Sequence, residues 1–191
     1  MEPAHLAATD LACRRGERVL FTGLAFALSP GEALQVTGRN GTGKSSLIRI
    51  LAGLLRPLAG DVERHGAIAL VDERPALDGD VPLGRALAFW TRLDGGHPPV
   101  GYLGLDELLD VPVRYLSTGQ RKRGALARLA GQGAPLWLLD EPLNGLDSEA
   151  VGLCEALVAE HCAAGGIAVI ASHQPFALPG LRSLPLAEFA P

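Results

Sequence analysis

One glycine-rich segment constrains this chain more than any other feature. Residues 38–45 read Gly-Arg-Asn-Gly-Thr-Gly-Lys-Ser and match the pattern GxxxxGK[ST], between the apolar segment 33–37 and a helical pattern over 44–55. Glycines let the backbone turn with its N–H groups facing inward, and the following helix adds the positive end of its dipole. The order strand, loop, helix therefore predicts a phosphate-binding loop at the end of a strand in an α/β sheet.

The side chains of this loop predict ATP and Mg²⁺ as substrate and cofactor. The Lys44 ammonium would reach the β- and γ-phosphates, and the Ser45 hydroxyl would ligate the metal. The predicted ATP-binding residues of this segment are Gly38, Arg39, Asn40, Gly41, Thr42, Gly43, Lys44, Ser45 and Ser46.

A second short pattern is an apolar run followed by two acidic residues. Leu136–Leu139 is a buried strand by its apolar run, and Asp140 and Glu141 follow it directly. We expect Asp140 to hold Mg²⁺ through a water molecule and Glu141 to orient and deprotonate the attacking water, so Glu141 is a predicted catalytic residue. The pair alone also fits a turn and a helix cap, and the phosphate loop favours the metal and water site.

Short apolar strands alternate with helical patterns along the rest of the chain, which predicts a mostly parallel sheet with helices on its faces. We expect strands near 6–13 and 18–28, a strand pair over 61–71 turning at 64–66, helices over 83–93, 103–109, 116–131 and 148–164, and a strand over 167–171. The length of 191 residues predicts one domain. Its core would comprise 1–72 and 126–191, and a small helical lobe would be inserted at about 73–125.

Composition restricts the class of protein further. The chain has 17 basic and 21 acidic residues, a net charge of −4, which argues against a nucleic-acid partner. It has no apolar run of about 18 residues, which predicts no membrane span, and Met1–Asp10 lacks the pattern of a signal peptide. Three cysteines without a metal-binding spacing favour reduced, apolar use.

A pentapeptide brings the chain close to a known family. Leu116-Ser117-Thr118-Gly119-Gln120, called the signature turn below, differs by one residue from the LSGGQ signature of ABC-type ATPase subunits, which the chain resembles. The resemblance implies a P-loop NTPase core of the RecA-like ABC type with an inserted helical lobe and an N-terminal antiparallel β portion. It also implies that Ser117, Gly119 and Gln120 bind the ATP of a second copy, so that a homodimer forms. A helix N-terminus suits an anion there.

Two more segments follow the order of motifs in that family. Asn144-Gly145-Leu146-Asp147, called the D-loop below, lies where the family usually has Ser-Ala-Leu-Asp, and its last two residues match. His173 occupies the position of the family's switch histidine, which contacts the γ-phosphate, and it is a predicted catalytic residue. A lone histidine after a strand is more often structural, and only the order of motifs favours the catalytic reading here.

The chain departs from the family at two other positions. The family has a glutamine that contacts Mg²⁺ and the attacking water at the start of the lobe, where this chain has Glu73 and Arg74, and we expect Arg74 in that slot. The family also stacks an aromatic ring on adenine near the N-terminus. Arg15 is the candidate to replace that ring by stacking its guanidinium group, and it also fits an exposed solubilising arginine.

Segments outside the ATP motifs resemble the ATP-binding subunit of the cytochrome c maturation exporter. They are Leu87–Trp90, Tyr115–Arg123, Ala127–Leu129, Pro135–Pro142 and Ser172–Pro175. This similarity implies an ATPase of haem export, or of haem release from a chaperone, bound to integral membrane permease subunits. It implies a peripheral location on the cytoplasmic face of the inner membrane, with no direct haem site in this chain. The alternatives are an exporter ATPase for another substrate, a DNA-repair or translation ATPase, and a nucleotide-binding scaffold of low activity.

Overall fold

The computed structural model describes residues 3–191, which form eight strands and four α-helices. The strands are β1 (His5–Arg15), β2 (Arg18–Leu28), β3 (Ala33–Thr37), β4 (Ala59–His65), β5 (Ile68–Val71), β6 (Leu136–Asp140), β7 (Ile167–Ala171) and β8 (Arg182–Pro185). The helices are α1 (Lys44–Leu51), α2 (Leu83–Asp94), α3 (Thr118–Gly131) and α4 (Ser148–Ala163). Short 3₁₀ turns lie at Asp106–Leu108, Val113–Tyr115 and Leu186–Phe189.

The centre of the fold is a five-stranded sheet in the order β5-β6-β7-β3-β8, and all of its strand pairs are parallel. Every residue of β6 and β7 is buried. Strands covered on both faces need continuous apolar runs, and the runs LWLLD and IAVIA meet that need. The predicted parallel sheet is confirmed. Its edge strand β8 has a polar start and was not expected from the sequence.

Side chains of the central strands alternate between two cores. On β6, Leu136 and Leu138 pack in the core that contains α1 and the N-terminal sheet. Trp137 and Leu139 face the other way, into the core formed with α2, α3 and α4. The period of two along a strand therefore divides one apolar run between the two halves of the molecule.

A second sheet, of order β2-β1-β4, is antiparallel. It confirms the expected N-terminal antiparallel portion. The expectation that 61–71 forms a strand pair is wrong, because β4 pairs with β1 and β5 pairs with β6 in the other sheet. The composition explains the division: β4 carries exposed polar residues on an open sheet, whereas β5 reads Ile-Ala-Leu-Val and joins the buried one.

Two helical predictions differ from the structure in extent. α1 ends at Leu51 and not at residue 55, because Gly53 takes a positive φ of 76° and turns the chain out of the helix. The predicted helix over 103–109 is only the 3₁₀ turn Asp106–Leu108, preceded by Gly104 at a φ of 60°. The start of α3 is as predicted, with Ser117 as its N-cap.

The expected lobe contains α2 and the first part of α3. The predicted boundary at residues 125 and 126 falls within α3, so one continuous helix joins the two regions. Among residues 3–191, none of the helices has the length and apolar character that a bilayer crossing requires. All three cysteines are buried, and burial raises the pKa of the Cys154 thiol to about 12.

The contact of α1 with the sheet is the first packing feature to test. Leu47 is fully buried between them, whereas Leu54, just beyond the end of the helix, is 67% exposed. We expect Leu47→Ala to lower the free energy of unfolding by about 2–5 kcal/mol, because it removes apolar contacts and leaves a cavity. The matched control Leu54→Ala should change it by less than about 0.5 kcal/mol. Equal effects of the two substitutions in urea denaturation would contradict the packing described here.

Candidate nucleotide-binding site

The phosphate loop leaves β3 at Thr37 and ends on the first turn of α1. Gly43, the residue before the helix, has a φ of 112°, which side-chain-bearing residues rarely adopt. A Cβ at this position would also lie 3.2 Å from the Cβ of Leu20. Glycine is therefore required by conformation and by space at the point where the loop turns into the helix.

Lys44 is held in place by the loop that precedes it. Its side chain is only 5% exposed, and Nζ donates a hydrogen bond of 2.8 Å to the carbonyl oxygen of Gly38. The same Nζ lies 3.2 Å from Oε1 of Glu141. A buried ammonium bonded in this way keeps a fixed position at the mouth of the loop.

Glu141 lies between two of the other predicted residues. Its second carboxylate oxygen, Oε2, is 2.9 Å from Nδ1 of His173. The structure thus brings together Lys44, Glu141 and His173, which are far apart in the sequence. The backbone of Glu141 has a φ of 47°, a left-handed conformation that is strained for a residue other than glycine, and such strain is typical of functional sites.

Asp140 and Ser45 form the part of the site that suits a metal ion. The Asp140 side chain is 3% exposed, and its Oδ1 is buried without a hydrogen-bond partner among residues 3–191. Burial raises the pKa of this carboxyl, while a hydrogen bond from Ser45 lowers it and the nearby Glu141 charge raises it. An orphaned carboxylate oxygen beside a hydroxyl is the kind of donor set that Mg²⁺ prefers, so these residues fit the metal.

Lys44, Ser45 and Glu141 line an open cleft of about 610 Å³. Its walls include most of the phosphate loop together with three residues at the end of β1 and the start of β2, which are Arg15, Arg18 and Leu20. The lining residues are Arg15, Arg18, Leu20, Asn40, Gly41, Gly43, Lys44, Ser45, Ser46, Glu73, Glu141 and Asn144. Arg39 and Thr42 lie at the tip of the loop, where the Thr42 hydroxyl donates to the Arg39 carbonyl.

The signature turn lies outside this cleft. Ser117 caps α3: its Oγ accepts from the backbone N–H of Gln120, and the Gln120 side chain accepts from the backbone N–H of Ser117. This reciprocal capping box fixes the start of the helix. Ser117 is exposed, and Ser117, Gly119 and Gln120 are not among the residues that line the phosphate cleft.

The structure changes the assignment at the slot of the missing glutamine. Glu73 lines the phosphate cleft with Lys44 and Glu141, whereas Arg74 lies on a neighbouring groove beside Asp72 and Arg128. At this position the residue on the phosphate cleft is therefore Glu73, and the expectation that Arg74 takes the place of the glutamine there is wrong. The chain bends at Glu73 and Arg74, just beyond the end of β5, and the two side chains reach different grooves.

Sequence reasoning missed Lys122. This lysine of α3 is only 8% exposed, and it lines a second cleft with Glu73 and Glu141. Burial lowers the pKa of its ammonium, and the charges of Asp140, Asp72 and Glu73 act in the opposite direction. The sequence does contain a signal for the burial of Lys122, because this residue lies on the same helical stripe as Ala125, Leu126 and Leu129, which are buried.

Comparison with known proteins agrees with this geometry. The profile of the ABC transporter family matches residues 21–144. A protein of Pyrococcus furiosus described as an ABC transporter ATP-binding protein has the same fold, with a TM-score of 0.82 over 98% of this chain and 100% of that chain, at 19% identity. The chain belongs to the ABC transporter family and has the fold of its ATPase subunits.

Two curated relatives indicate which branch of the ABC transporter family the chain belongs to. The cytochrome c biogenesis ATP-binding export protein CcmA of Novosphingobium aromaticivorans is 61% identical over 191 residues, which is the full length of both chains. The protein of the same name from Sphingopyxis alaskensis is 51% identical and covers 97% of this chain and 98% of its own. Within the ABC transporters, the chain is a member of the CcmA family.

The buried lysine gives a test based on pH. The pKa of Lys122 is lowered in the folded protein. Between that lowered pKa and about 10.4, the pKa of an unperturbed lysine, the unfolded chain therefore binds more protons than the folded chain does at the same pH. This residue's contribution to the free energy of unfolding consequently increases with pH over that range. We expect the difference in unfolding free energy, wild type minus Lys122→Met, to grow between pH 7 and pH 10 in urea denaturation.

Lys122→Arg is the charge-conserving control for that experiment, since a guanidinium group stays protonated over this range. A difference between the wild type and Lys122→Met that stays flat with pH would contradict the lowered pKa.

Proposed function

We propose that this chain binds ATP in the phosphate cleft and hydrolyses it as the ATP-binding subunit of a membrane complex for cytochrome c biogenesis. The observation that carries the proposal is the position of Glu141, 3.2 Å from Lys44 and 2.9 Å from His173 at the mouth of a phosphate loop. A carboxylate between a phosphate-binding cation and a histidine suits a base that acts on water at a γ-phosphate.

The reaction is an in-line displacement. A water oxygen attacks the γ-phosphorus, the bond to the β-phosphate oxygen breaks, and ADP leaves with that oxygen. Glu141 accepts the proton of the water, and His173 donates a hydrogen bond to the γ-phosphate. Lys44 must exchange the Glu141 carboxylate for phosphate oxygens, which frees Glu141 to orient the water.

The metal ion and the adenine ring occupy the other two parts of the proposed nucleotide site. Asp140 and Ser45 would hold Mg²⁺, Asp140 through a water molecule, and the ion when bound draws negative charge from the phosphates. Arg15 and Leu20 lie on the wall of the cleft beyond the loop. We propose that the guanidinium group of Arg15 stacks on adenine there, in place of the aromatic side chain usual in the family.

A second copy would supply the remaining contacts. Ser117 is exposed at the N-terminus of α3, outside the cleft of its own chain, and a helix start with an exposed serine and a glycine favours an anion. We therefore infer a homodimer in which Ser117, Gly119 and Gln120 of one copy approach the γ-phosphate of the other. The domain would be single over 1–191, with its core in 1–72 and 126–191 and its lobe near 73–125.

We propose that the partners of this chain in the membrane are integral permease subunits. The relatives named above are export proteins of cytochrome c biogenesis, which supports a peripheral position on the cytoplasmic face of the inner membrane and a role in haem export or in haem release from its chaperone. Haem recognition would belong to the partners, and we propose neither a haem site nor a nucleic-acid site in this chain.

Two substitutions test the mechanism in the purified complex. Glu141→Gln keeps the size of the side chain and removes the base, so kcat should fall by about 100-fold to 10,000-fold while ATP still binds. Ser117→Arg places a long cation in the contact with the second copy and should also abolish most turnover. Near-normal ATP hydrolysis in either variant would contradict the proposed ATPase mechanism.

Exposed positions provide matched controls for both changes. Glu149→Gln makes the same substitution on the first turn of α4, and Ser183→Arg makes the other on the edge strand β8. Neither residue lines the cleft, and both variants should keep kcat within about twofold of wild type, because exposed substitutions away from a site have small effects.

The biological role is tested by deletion. A strain without this chain should lose haem-stained c-type cytochromes, the wild-type chain should restore them, and Lys44→Ala should not, because it removes the phosphate-binding cation. Normal c-type cytochromes in the deletion strain would favour an exporter for another substrate. Restoration by Lys44→Ala would favour the nucleotide-binding scaffold of low activity.

A further inference from the structure

Two arginines at the end of the β1–β2 hairpin form part of the wall of the phosphate cleft. Arg15 and Arg18 are direct partners across this hairpin, which turns at Gly16 and Glu17. Side chains of directly opposed residues lie on the same face of a hairpin, and both arginines line the cleft. The register of the hairpin therefore places two guanidinium groups side by side on one wall.

Leu20 holds this hairpin against the phosphate loop. A Cβ at Gly43 would lie 3.2 Å from both Cβ and Cδ1 of Leu20, so β2 lies directly beside the point where the loop becomes α1. Leu20 is partly buried, and it lines the cleft together with the two arginines. A nucleotide with its phosphates in the loop would therefore rest its base on an apolar side chain flanked by two cations.

Both guanidinium groups are available to a ligand. Arg15 and Arg18 are exposed, and neither guanidinium group forms a hydrogen bond or an ion pair with any of residues 3–191. An arginine side chain carries five N–H donors and no acceptor. The polar side chains of this hairpin wall, called the arginine wall below, therefore offer a base hydrogen-bond donors only.

The two carboxylates that line the phosphate cleft lie on its side toward α3. Glu73, Glu141 and Asn144 of the D-loop also line the second cleft with Lys122 of α3. The arginine wall borders the phosphate cleft and not the second one. A base on that wall therefore meets guanidinium donors and not these carboxylates.

The two purines differ at the edge that a group with donors alone can read. Guanine presents two acceptors, O6 and N7, which accept a bidentate pair from one guanidinium group. Adenine presents N7 beside an amino group that is itself a donor, so one of the two N–H groups finds no acceptor. Stacking on Arg15 does not distinguish the purines, because both have the same two fused rings. Discrimination between them therefore depends on Arg18.

We propose that Arg18 reads the base and makes the cleft favour guanine over adenine, so that this chain hydrolyses GTP as well as ATP. The inference rests on the nucleotide site of the proposed function and names the purine that this site prefers. The reaction with GTP is the same displacement. A water oxygen bonds to the γ-phosphorus, the bond from that phosphorus to the β-phosphate oxygen breaks, GDP leaves with the oxygen, and Glu141 accepts the water proton.

The size of the preference follows from the energy of a bidentate pair. A good pair between a side chain and a base edge discriminates against the wrong base by about 5-fold to 150-fold. The arginine wall is exposed, so water competes with Arg18 for the base, and we expect the lower end of that range. GTP should bind about fivefold more tightly than ATP. The ratio of kcat/KM should show the same preference, because the base is bound equally in the ground state and the transition state.

The first test compares three nucleotides on the full wild-type chain. GTP, ATP and inosine triphosphate compete with a fluorescent ATP analogue in the presence of Mg²⁺. Inosine triphosphate has O6 and N7 but lacks the amino group of guanine, so it should bind within about twofold of GTP and about fivefold more tightly than ATP. ATP binding as tight as that of GTP overturns the preference for guanine. Inosine triphosphate binding as weakly as ATP overturns the reading of O6 and N7.

The second test changes the reading group. The amide of Arg18→Gln can accept from N6 of adenine and donate to N7, so this variant should reverse the preference and bind ATP about fivefold more tightly than GTP. Arg18→Met offers the base neither donor nor acceptor and should bind the two about equally. Both variants lose one positive charge, which weakens the binding of both triphosphates alike and leaves their ratio unaffected.

Arg14→Gln is the matched control, since Arg14 is an exposed neighbour that does not line the cleft. It makes the same change of charge and should keep the wild-type ratio of GTP to ATP affinity. A ratio that is the same in the wild type, Arg18→Gln and Arg18→Met overturns the role of Arg18. A ratio that changes as much in Arg14→Gln as in Arg18→Gln overturns it as well.

Hydrolysis by the chain purified with its membrane subunits separates this proposal from the one on which it rests. The wild-type complex should have a kcat/KM for GTP about fivefold above that for ATP. A complex that hydrolyses ATP with a kcat/KM at or above that for GTP overturns the preference for guanine and leaves the ATPase assignment intact. A complex that hydrolyses neither nucleotide overturns the ATPase assignment, and the base preference with it.

Discussion

The register of one strand, β7, sets the relative positions of the loops that carry the phosphate-binding residues, the two acids and His173. Ala171, the last residue of β7, pairs with Asp140 on one side and with Val36 on the other. Its carbonyl oxygen accepts from the backbone N–H of Glu141, and the next residue, Ser172, donates to the carbonyl of Val36. Three loops therefore leave the sheet at the same level. A shift of one residue in this pairing would turn the acids toward the core and remove them from the phosphate loop.

Local patterns made part of this arrangement predictable. The phosphate loop, the two acids and His173 each follow an apolar strand, and the carboxyl ends of parallel strands lie at one edge of a sheet, so their proximity follows from the order of motifs. The parallel sheet was predictable for the same reason. The N-terminal antiparallel portion came from the family resemblance and not from periodicity.

Other features depend on packing that no local pattern records. The segment 59–71 is divided between two sheets because its two halves differ in burial, and a turn signal alone could not show which neighbours each half would choose. The exchange of Glu73 for Arg74 on the cleft depends on how the chain bends after β5, which no local pattern records. Lys122 shares a helical stripe with buried residues of α3, and only the packing of that helix brings it to the cleft that Glu73 and Glu141 line.

The pairing of Lys44 with Glu141 also affects which anions the cleft accepts. An anion that enters has to replace a full carboxylate at Lys44, a group already bonded at 3.2 Å. An ion of low charge gains little by that exchange, whereas a polyphosphate brings several charged oxygens and also meets the backbone N–H groups of the loop. Glu141, the proposed base in hydrolysis, thus also competes with an entering anion for the Lys44 ammonium. We therefore expect the cleft to favour polyphosphates over inorganic phosphate and other small anions.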